Sequence, residues 1–258
     1  MPDPGIYKMN EKKQNENELM VIGRNPVMEA LRTMENTDKL YVQEGLKDGP
    51  VNMIVSLAKK KGILIVYVPK AKLDLMCENG RHQGVILNLS AVSYCEVDDI
   101  LNNAEKKGES PFIFVLDGIE DPHNLGAIIR TANLSGAHGV IIPKHRSATL
   151  NATVAKASAG AIYHIPVAKV TNIAATIESL KEQGIWFVCA DMSGADMYDV
   201  NMKGAIGLVI GNEGSGVSRL VKEKCDLTAR IPMKGDIDSL NASVAAGILA
   251  WEYIRQNQ

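Results

Sequence analysis

The chain has 258 residues and a formal net charge of −2, and 46% of its residues are hydrophobic. This length suits one large domain or two moderate ones, and the composition is that of a globular protein rather than a disordered one. The charge excludes a whole-molecule field that attracts nucleic acid, so an RNA or DNA partner needs a local basic face.

Composition and spacing also exclude several kinds of site. The four cysteines, Cys77, Cys95, Cys189 and Cys225, lie far apart without a CxxC pair, which indicates reduced structural thiols and a cytoplasmic setting. His and Cys residues show no metal-ligand spacing. We therefore expect no metal. No apolar run reaches about 18 residues, so we also expect no membrane span.

The first third of the chain predicts a tail and a small domain. Residues 1–18 are polar, without a signal or transit pattern, and predict a disordered tail. Residues 19–90 alternate apolar runs with helical patterns, which indicates a small α/β domain. Its predicted helices are 25–32, 50–60 and 70–77, and its predicted strands are 39–43, 63–68 and 84–89.

Basic residues are frequent in this first domain, and two interpretations are open. They form either a solvated surface or a docking face for phosphates. The stretch Arg81-His82-Gln83-Gly84 is the most suggestive point, because it leads from a turn into a strand. The full basic set is Arg24, Lys59, Lys60, Lys61, Lys70, Lys72, Arg81 and His82.

Residues 91–111 predict a linker with a helical middle, and 112–258 predict a second domain. Its apolar runs are continuous rather than alternating, which is typical of parallel strands buried on both faces. Asn124, Asn151 and Asn172 are candidate helix N-caps. The predicted strands are 112–116, 139–142, 164–167, 186–190, 205–210 and 228–231, and the predicted helices are 125–135, 152–159, 172–183, 218–224 and one ending at 255.

Three polar, Gly-rich loops follow strands of this second domain, where open α/β sheets bind ligands. The first carries Asn124 and Arg130, the second Glu213, and the third Ser239 and Asn241. We predict that these five residues are functional.

The residues alone leave several functional interpretations of these loops open. Arg130 near a positive helix start either binds an anionic ligand or pairs with a neighbouring acid, Asp117, Glu120 or Asp121. The glycines of 211–216 either cradle a phosphate or let a ligand approach the backbone. They are not a Walker A or first-strand GxGxxG motif, so a nucleotide-dependent oxidoreductase is poorly supported. Ser239 lacks a recognisable histidine base.

Together the three loops resemble the signature motifs of the SpoU/TrmH family of RNA ribose 2′-O-methyltransferases, within the SPOUT superfamily. The matching stretches are Asn-Leu-Gly-Ala-Ile-Ile-Arg at 124–130, Leu-Val-Ile-Gly-Asn-Glu-Gly-Ser-Gly-Val at 208–217, and the whole of 231–245. The resemblance extends over 19–256. The first domain, with His-Gln-Gly at 82–84, is similar to the ribosomal-protein-like RNA-binding domain of the subgroup that modifies a guanosine of 23S rRNA.

The resemblance implies a fold, a cofactor and an assembly. It implies a trefoil-knotted open parallel-sheet α/β domain after a small α/β RNA-binding domain, and a homodimer in which the last helix forms part of the interface. It also implies S-adenosylmethionine as the cofactor. By position, the cofactor-binding residues are Gly211, Ile231, Leu240, Ala190 and Met233.

The implied reaction is methylation of a ribose 2′-hydroxyl in rRNA, with catalytic roles for Arg130, Asn124, Glu213, Ser239 and Asn241. Arginine essentially never deprotonates in proteins, so we expect Arg130 to hold the RNA phosphate and stabilise developing negative charge. Two alternatives stay open: the same reaction on tRNA, and a non-catalytic RNA-binding or ribosome-assembly protein.

Overall fold

The computed structural model describes residues 19–33, 37–77, 81–89, 92–235 and 239–258. The predicted tail, 1–18, lies outside these residues. The chain divides into two compact units, Met1–Val92 and Ser93–Gln258. All four cysteines are free thiols, as predicted. None of the helices in the described ranges is long and apolar enough to cross a membrane.

The first unit is a four-stranded α/β module. Its sheet has the order β1-β4-β2-β3, with β4 antiparallel to both neighbours and β3 parallel to β2. The sequence did not predict β1, because four residues are too few to show a period. The strands are β1 (Leu19–Ile22), β2 (Thr37–Gln43), β3 (Leu64–Val68) and β4 (Val85–Leu89), and the helices are α1 (Arg24–Thr33), α2 (Gly49–Lys60) and α3 (Lys70–Met76).

The second unit begins earlier than predicted, because 91–111 is not a linker. The helix α4 (Val97–Lys107) packs Ile100 into the same core as the sheet residues Ile113 and Ile141. Cys95 forms an isolated bridge with Ala168, and its N–H donates to the Val167 carbonyl at 3.0 Å. Burial of the apolar side of this helix therefore assigns it to the second unit.

The second unit contains a six-stranded sheet with the order β10-β8-β9-β5-β6-β7, and all of its strand pairs are parallel. The prediction of an α/β domain with a parallel sheet is thus confirmed. The strands are β5 (Phe112–Asp117), β6 (Gly139–Pro143), β7 (Val167–Val170), β8 (Trp186–Asp196), β9 (Ile206–Gly211) and β10 (Leu227–Arg230).

One predicted strand was misplaced. The sequence predicted 164–167, whereas β7 begins at Val167, and a 3₁₀ turn occupies Ala161–Tyr163. Pro166 has no N–H for a ladder, although its carbonyl accepts from Val140 N at 2.9 Å. The strand β7 therefore begins at Val167, the residue after this proline.

Helices cover both faces of this sheet. On one face, α4, α7 and α8 share a core with Ile113, Val115 and Phe187. On the other, α5 contacts α6 and α9, and Tyr253 of α9 stacks on Phe112 with ring centroids 3.8 Å apart. The remaining helices are α5 (Pro122–Leu134), α6 (Ala152–Ala157), α7 (Ile173–Lys181), α8 (Arg219–Lys224) and α9 (Ala242–Asn257).

Candidate active site

The loops after β5 and β9 lie side by side at the carboxyl edge of the sheet. The two strands are neighbours, with Asp117 opposite Gly211 at their ends. The Asp117 carboxylate accepts from Ser218 N at 2.8 Å, and Asn212 Nδ2 donates to the Gly118 carbonyl at 2.9 Å. These two bonds fasten the second motif loop to the first.

The loop after β9 closes on itself. The backbones of Asn212 and Gly216 exchange hydrogen bonds of 3.1 and 2.8 Å. A Cβ at Gly211 would lie 2.1 Å from the Gly216 carbonyl carbon, a separation that no side chain tolerates. Gly216 itself has φ +66°, a region that favours glycine. The motif therefore needs glycine at both ends of this tight loop.

A side-chain network joins all three motif loops. Asn124 Nδ2 donates to Glu213 Oε1 at 2.8 Å, and Asn241 Nδ2 donates to both Glu213 Oε1 and Asn124 Oδ1. These residues are separated along the chain by 89 and 117 positions. A carboxylate that accepts from two amides is a charge-assisted arrangement, and such hydrogen bonds are stronger than those between neutral groups.

Asn241 also caps the last helix. Its Oδ1 accepts from Ser243 N at 2.9 Å, while its Nδ2 serves the network. The predicted role of Asn124 as an N-cap is wrong, because α5 begins two residues earlier. Asp121 is the cap, with its side chain accepting from His123 N at 2.9 Å, and Pro122 follows it. Asn124 is thereby free to bond Glu213 and Asn241.

A cavity of about 210 Å³ lies beside this network. All five residues predicted to bind a cofactor contribute to its wall: Ala190, Gly211, Ile231, Met233 and Leu240. Glu213 and Ser239 also line it. The structure thus brings most of the predicted residues to one place, while their individual roles stay predictions.

The cavity wall combines apolar side chains, backbone and a few charges. Ile231, Met233 and Leu240 supply apolar contact, and the glycines expose peptide groups. The charged side chains among the described residues of the wall are Asp191, Glu213 and Arg230. This mixture suits a ligand with an apolar heterocycle and a polar, charged remainder.

Arg130 is exposed on α5 and does not line the cavity. Among the residues that the structure describes, none accepts a hydrogen bond from it or pairs with it, so the predicted alternative of an ion pair with Asp117, Glu120 or Asp121 is not found. It lies six residues beyond Asn124, about 9 Å along the helix axis. Within one chain, the guanidinium of Arg130 is therefore available to bind a ligand.

Gly126 explains the glycine of the first motif. A Cβ there would lie 2.5 Å from the Ala157 Cβ and 2.9 Å from the Val154 carbonyl oxygen. The close approach of α5 and α6 thus depends on glycine, and it sets the position of the helix that carries Asn124 and Arg130.

Sequence reasoning did not single out three residues of this site: Asn212, Asp191 and Arg230. Asn212 lies in the second motif, immediately before Glu213. Asp191 follows the predicted strand 186–190, and Arg230 lies within the predicted strand 228–231. The position of Asp191 immediately after a strand was a usable signal, because ligand sites gather there.

Across the described residues, no group of three His, Cys, Asp or Glu side chains is placed to hold a metal ion.

The first unit has its own polar cavity of about 670 Å³, lined in part by Arg24, Lys70, Arg81 and His82. His82 is buried; its Nδ1 accepts from Gly84 N at 2.9 Å, and its Nε2 lies 2.9 Å from Asp74 Oδ1. These contacts make His82 a structural residue that fixes the turn. Arg24 pairs with Asp48 at 2.6 Å. The exposed Arg81 and Lys70 leave this surface basic.

Family models match both units. The model described as the SpoU rRNA Methylase family matches residues 111–251, and that described as RNA 2′-O ribose methyltransferase substrate binding matches 20–95. These matches identify the second unit and the first unit, respectively, as the two parts of one family architecture.

Comparison with individual proteins identifies the same family. The chain is 52% identical over 92% of its length to a putative TrmH family tRNA/rRNA methyltransferase, YacO, from Bacillus subtilis, covering 95% of that protein. It is 45% identical over 93% of its length to a protein of the same description from Staphylococcus haemolyticus, covering 96% of it. A crystal structure of an AdoMet-bound rRNA methyltransferase from Sinorhizobium meliloti superposes with a TM-score of 0.72 and 25% identity, covering 95% of this chain and 90% of that one.

Proposed function

The chain belongs to the SpoU rRNA methylase family, and on that premise we propose that it transfers a methyl group from S-adenosylmethionine to a ribose 2′-hydroxyl of RNA. The observation that carries the proposal is the network of Asn124, Glu213 and Asn241. This network joins the three motif loops next to a cavity whose wall combines apolar side chains, backbone groups and a few charges.

The cavity residues fit this cofactor. Adenine needs an apolar slot with peptide groups at its edge, which Ile231, Leu240 and Gly211 can supply. The cofactor's ribose and amino-acid groups need polar partners, which Asp191 and Arg230 offer on the same wall. When bound, S-adenosylmethionine supplies a methyl group already activated by a sulfonium, so the protein's task is alignment and charge stabilisation.

We assign the alignment to the network. Glu213 cannot swing away without breaking its bonds to Asn124 and Asn241, and Asn241 is itself held by the start of α9. The network therefore fixes the relative positions of the three loops. Ser239 lines the cavity, and we propose that it orients either the acceptor ribose or the cofactor loop.

We assign charge stabilisation to Arg130. Its guanidinium has no partner among the described residues, so this cation can bind an RNA phosphate and stabilise negative charge that develops on the 2′-oxygen. Because Arg130 does not line the cavity of its own chain, we propose that a second chain supplies the guanidinium to this site. The half-exposed Val244 and Trp251 of α9 support the homodimer that we propose.

We also propose that the second unit is trefoil-knotted and that the first has the ribosomal-protein-like fold of RNA-binding domains. The knot rests on the family likeness, because knots are rare among protein folds. The close packing of Gly211 on Gly216 belongs to a tight loop, and that of Gly194 on Thr228 belongs to two neighbouring strands.

For the substrate we propose a guanosine of 23S rRNA, recognised with the help of the basic cavity of the first unit. Its Arg81 and Lys70 can contact RNA phosphates. The proposed setting is the cytoplasm, where rRNA is made and modified in bacteria such as those of the similar proteins.

The test is transfer of labelled methyl to two RNAs in parallel, unmodified large-subunit rRNA and a tRNA pool. We expect label in the rRNA, recovered after alkali as a resistant 2′-O-methyl dinucleotide containing guanosine. Label in tRNA alone would overturn the rRNA assignment while keeping the reaction. If neither RNA is labelled although the cofactor binds, naked RNA is not the substrate. The substrate is then an assembled ribosomal precursor, or the protein is an RNA-binding protein without turnover.

A further inference from the structure

The strand β8 carries a five-residue bulge at the cavity. Cys189 pairs with Thr228 of β10, but the next residue of β10, Ala229, pairs with Ala195. Residues 190–194 are therefore inserted between two consecutive positions of the neighbouring strand. Bulges next to active sites commonly redirect a side chain, and here three bulge residues, Ala190, Asp191 and Met192, line the cavity.

A close backbone contact at Gly194 fixes the end of the bulge. A Cβ at Gly194 would lie 2.4 Å from the Thr228 carbonyl oxygen and 2.8 Å from Ala229 N. The returning strand can pack this closely only because residue 194 is glycine. This contact fixes where the bulge ends and therefore how far Asp191 can move.

Asp191 is also held by its own hydrogen bonds. Its Oδ1 accepts from Lys222 Nζ at 2.8 Å and from Ser193 N at 2.9 Å, and Lys222 Nζ also donates to Ser193 Oγ at 2.8 Å. Partial burial favours a higher pKa for Asp191, but the bonds from Lys222 and Ser193 outweigh it and lower the pKa. The carboxylate is thus ionised and rigid at neutral pH.

The carboxylate of Asp191 keeps acceptor capacity beyond these bonds. Lys222 Nζ and Ser193 N both bond to Oδ1, and the Ser193 hydroxyl also bonds the carboxylate, whereas an ionised carboxylate offers about four lone-pair sites. Since Lys222 already balances the charge, the remaining sites are better suited to neutral hydroxyl donors than to a second cation. Acidic residues at strand ends bind ribose hydroxyls in other open α/β sheets.

We propose that Asp191 accepts hydrogen bonds from the ribose hydroxyls of the bound cofactor, with Lys222 and Ser193 as its positioning residues. The proposal rests on the proposed function of the cavity. Under this proposal, the bulge makes the cavity selective for ligands with ribose hydroxyls. The apolar part of the wall separately binds adenine.

The test is calorimetric binding of S-adenosylhomocysteine to the full chain and to Asp191→Ala. Loss of a hydrogen bond to a charged acceptor predicts about tenfold weaker binding. Asp199→Ala removes an exposed acid that does not line the cavity and should bind like the unaltered protein. Equal affinity in Asp191→Ala and Asp199→Ala would overturn the proposal.

Ligand variants identify the group that is bound. The 2′-deoxy and 3′-deoxy forms of S-adenosylhomocysteine should bind the unaltered protein more weakly, and this penalty should disappear in Asp191→Ala. A penalty that persists in the variant contradicts the assignment. So does a variant that binds S-adenosylhomocysteine weakly but 5′-methylthioadenosine normally, because that pattern places Asp191 at the ammonium group.

Two controls separate the possible failures. Asp191→Asn keeps the side-chain volume, so a melting temperature close to that of the unaltered protein, with weakened binding, ties the loss to the carboxylate rather than to the fold. If the unaltered protein does not bind S-adenosylhomocysteine, the proposed function fails. If it binds and no Asp191 variant differs, only the assignment of Asp191 fails.

Discussion

The two edges of the large sheet use polar residues differently. At the amino edge, His138 is buried; its Nδ1 accepts from Phe112 N at 3.0 Å, and its Nε2 lies 3.0 Å from Glu109 Oε2. At the carboxyl edge, Asn124, Glu213 and Asn241 bond one another in a partly exposed network. The first cluster satisfies backbone groups of the fold, whereas the second positions loops around a cavity.

This difference teaches how to distinguish structural from functional polar residues. A buried histidine that accepts from a strand N–H prevents an unsatisfied donor, which is a stability role. Side chains that bond across three distant loops contribute little to burial and fix a geometry instead. Variants at the carboxyl edge should therefore reduce turnover, and variants at the amino edge should reduce stability.

The largest effect is expected for Arg130→Ala. Removing a cation that stabilises developing charge costs about 10²–10³ in rate, so RNA methylation should fall by at least that factor. Binding of S-adenosylhomocysteine should stay unchanged, because Arg130 is outside the cavity. The matched control is Arg219→Ala, since Arg219 is 90% exposed and, within the described part of the chain, pairs only with Glu223. Near-normal turnover in Arg130→Ala would remove it from the mechanism.

Glu213→Gln should have the next largest effect. The substitution puts an amide where a carboxylate accepts from Asn124 and Asn241, so the network loses charge assistance at its centre. We expect turnover to fall about tenfold or more, with weaker cofactor binding. The melting temperature should change little, because Glu213 is exposed. Glu223→Gln on α8 is the control, and equal turnover in both variants would contradict the positioning role.

The fold was largely predictable because burial on both faces leaves continuous apolar runs, and each of β5, β6, β8, β9 and β10 overlaps a predicted strand. The helix at 97–107 was recognised, but its place was not. Gly139 provides room for Ile100, whose side-chain atoms lie 2.4–2.6 Å from where a Cβ would be. That fit joins positions far apart in the chain, which local patterns do not encode.

The sequence predicted which loops come together at the candidate site, but not the contacts that their side chains make. The motif loops pointed to Glu213 and Asn241, and both belong to the network. The pairing of Asn124 with Glu213 was hidden because Asn124 also suits a helix cap, and only the position of Asp121 and Pro122 excludes that role. Asp191 was missed because a bulge, rather than a motif, brings it to the cavity.

His138→Ala tests the amino edge. The variant leaves the buried Phe112 N–H without its acceptor, a loss of about 1–3 kcal/mol in the free energy of unfolding. Denaturant unfolding measures it, and binding of S-adenosylhomocysteine at low temperature should stay normal. An unchanged unfolding free energy, or a selective loss of cofactor binding, would remove the distinction between the two edges.

The smallest expected effect is a pH dependence of stability from the same residue. Burial lowers the pKa of His138, although the bond to Glu109 opposes it. The unfolded chain therefore binds this proton more readily than the folded one. The stability contribution is complete above the ordinary histidine pKa of about 6.5 and is lost as the pH falls through the lower folded value. The loss cannot exceed about 1.4 kcal/mol per pH unit for one group.

Unfolding titrations of the unaltered protein and His138→Ala between pH 8 and pH 5 isolate this contribution, because the variant lacks the titrating ring. The difference in unfolding free energy between the two proteins should be constant near pH 8 and should shrink as the solution becomes acidic. A difference that grows towards low pH would mean that the charged imidazolium is favoured in the fold. The pair with Glu109 would then be an ion pair, and the amino edge would be held by charge rather than by a neutral ring that accepts from the backbone.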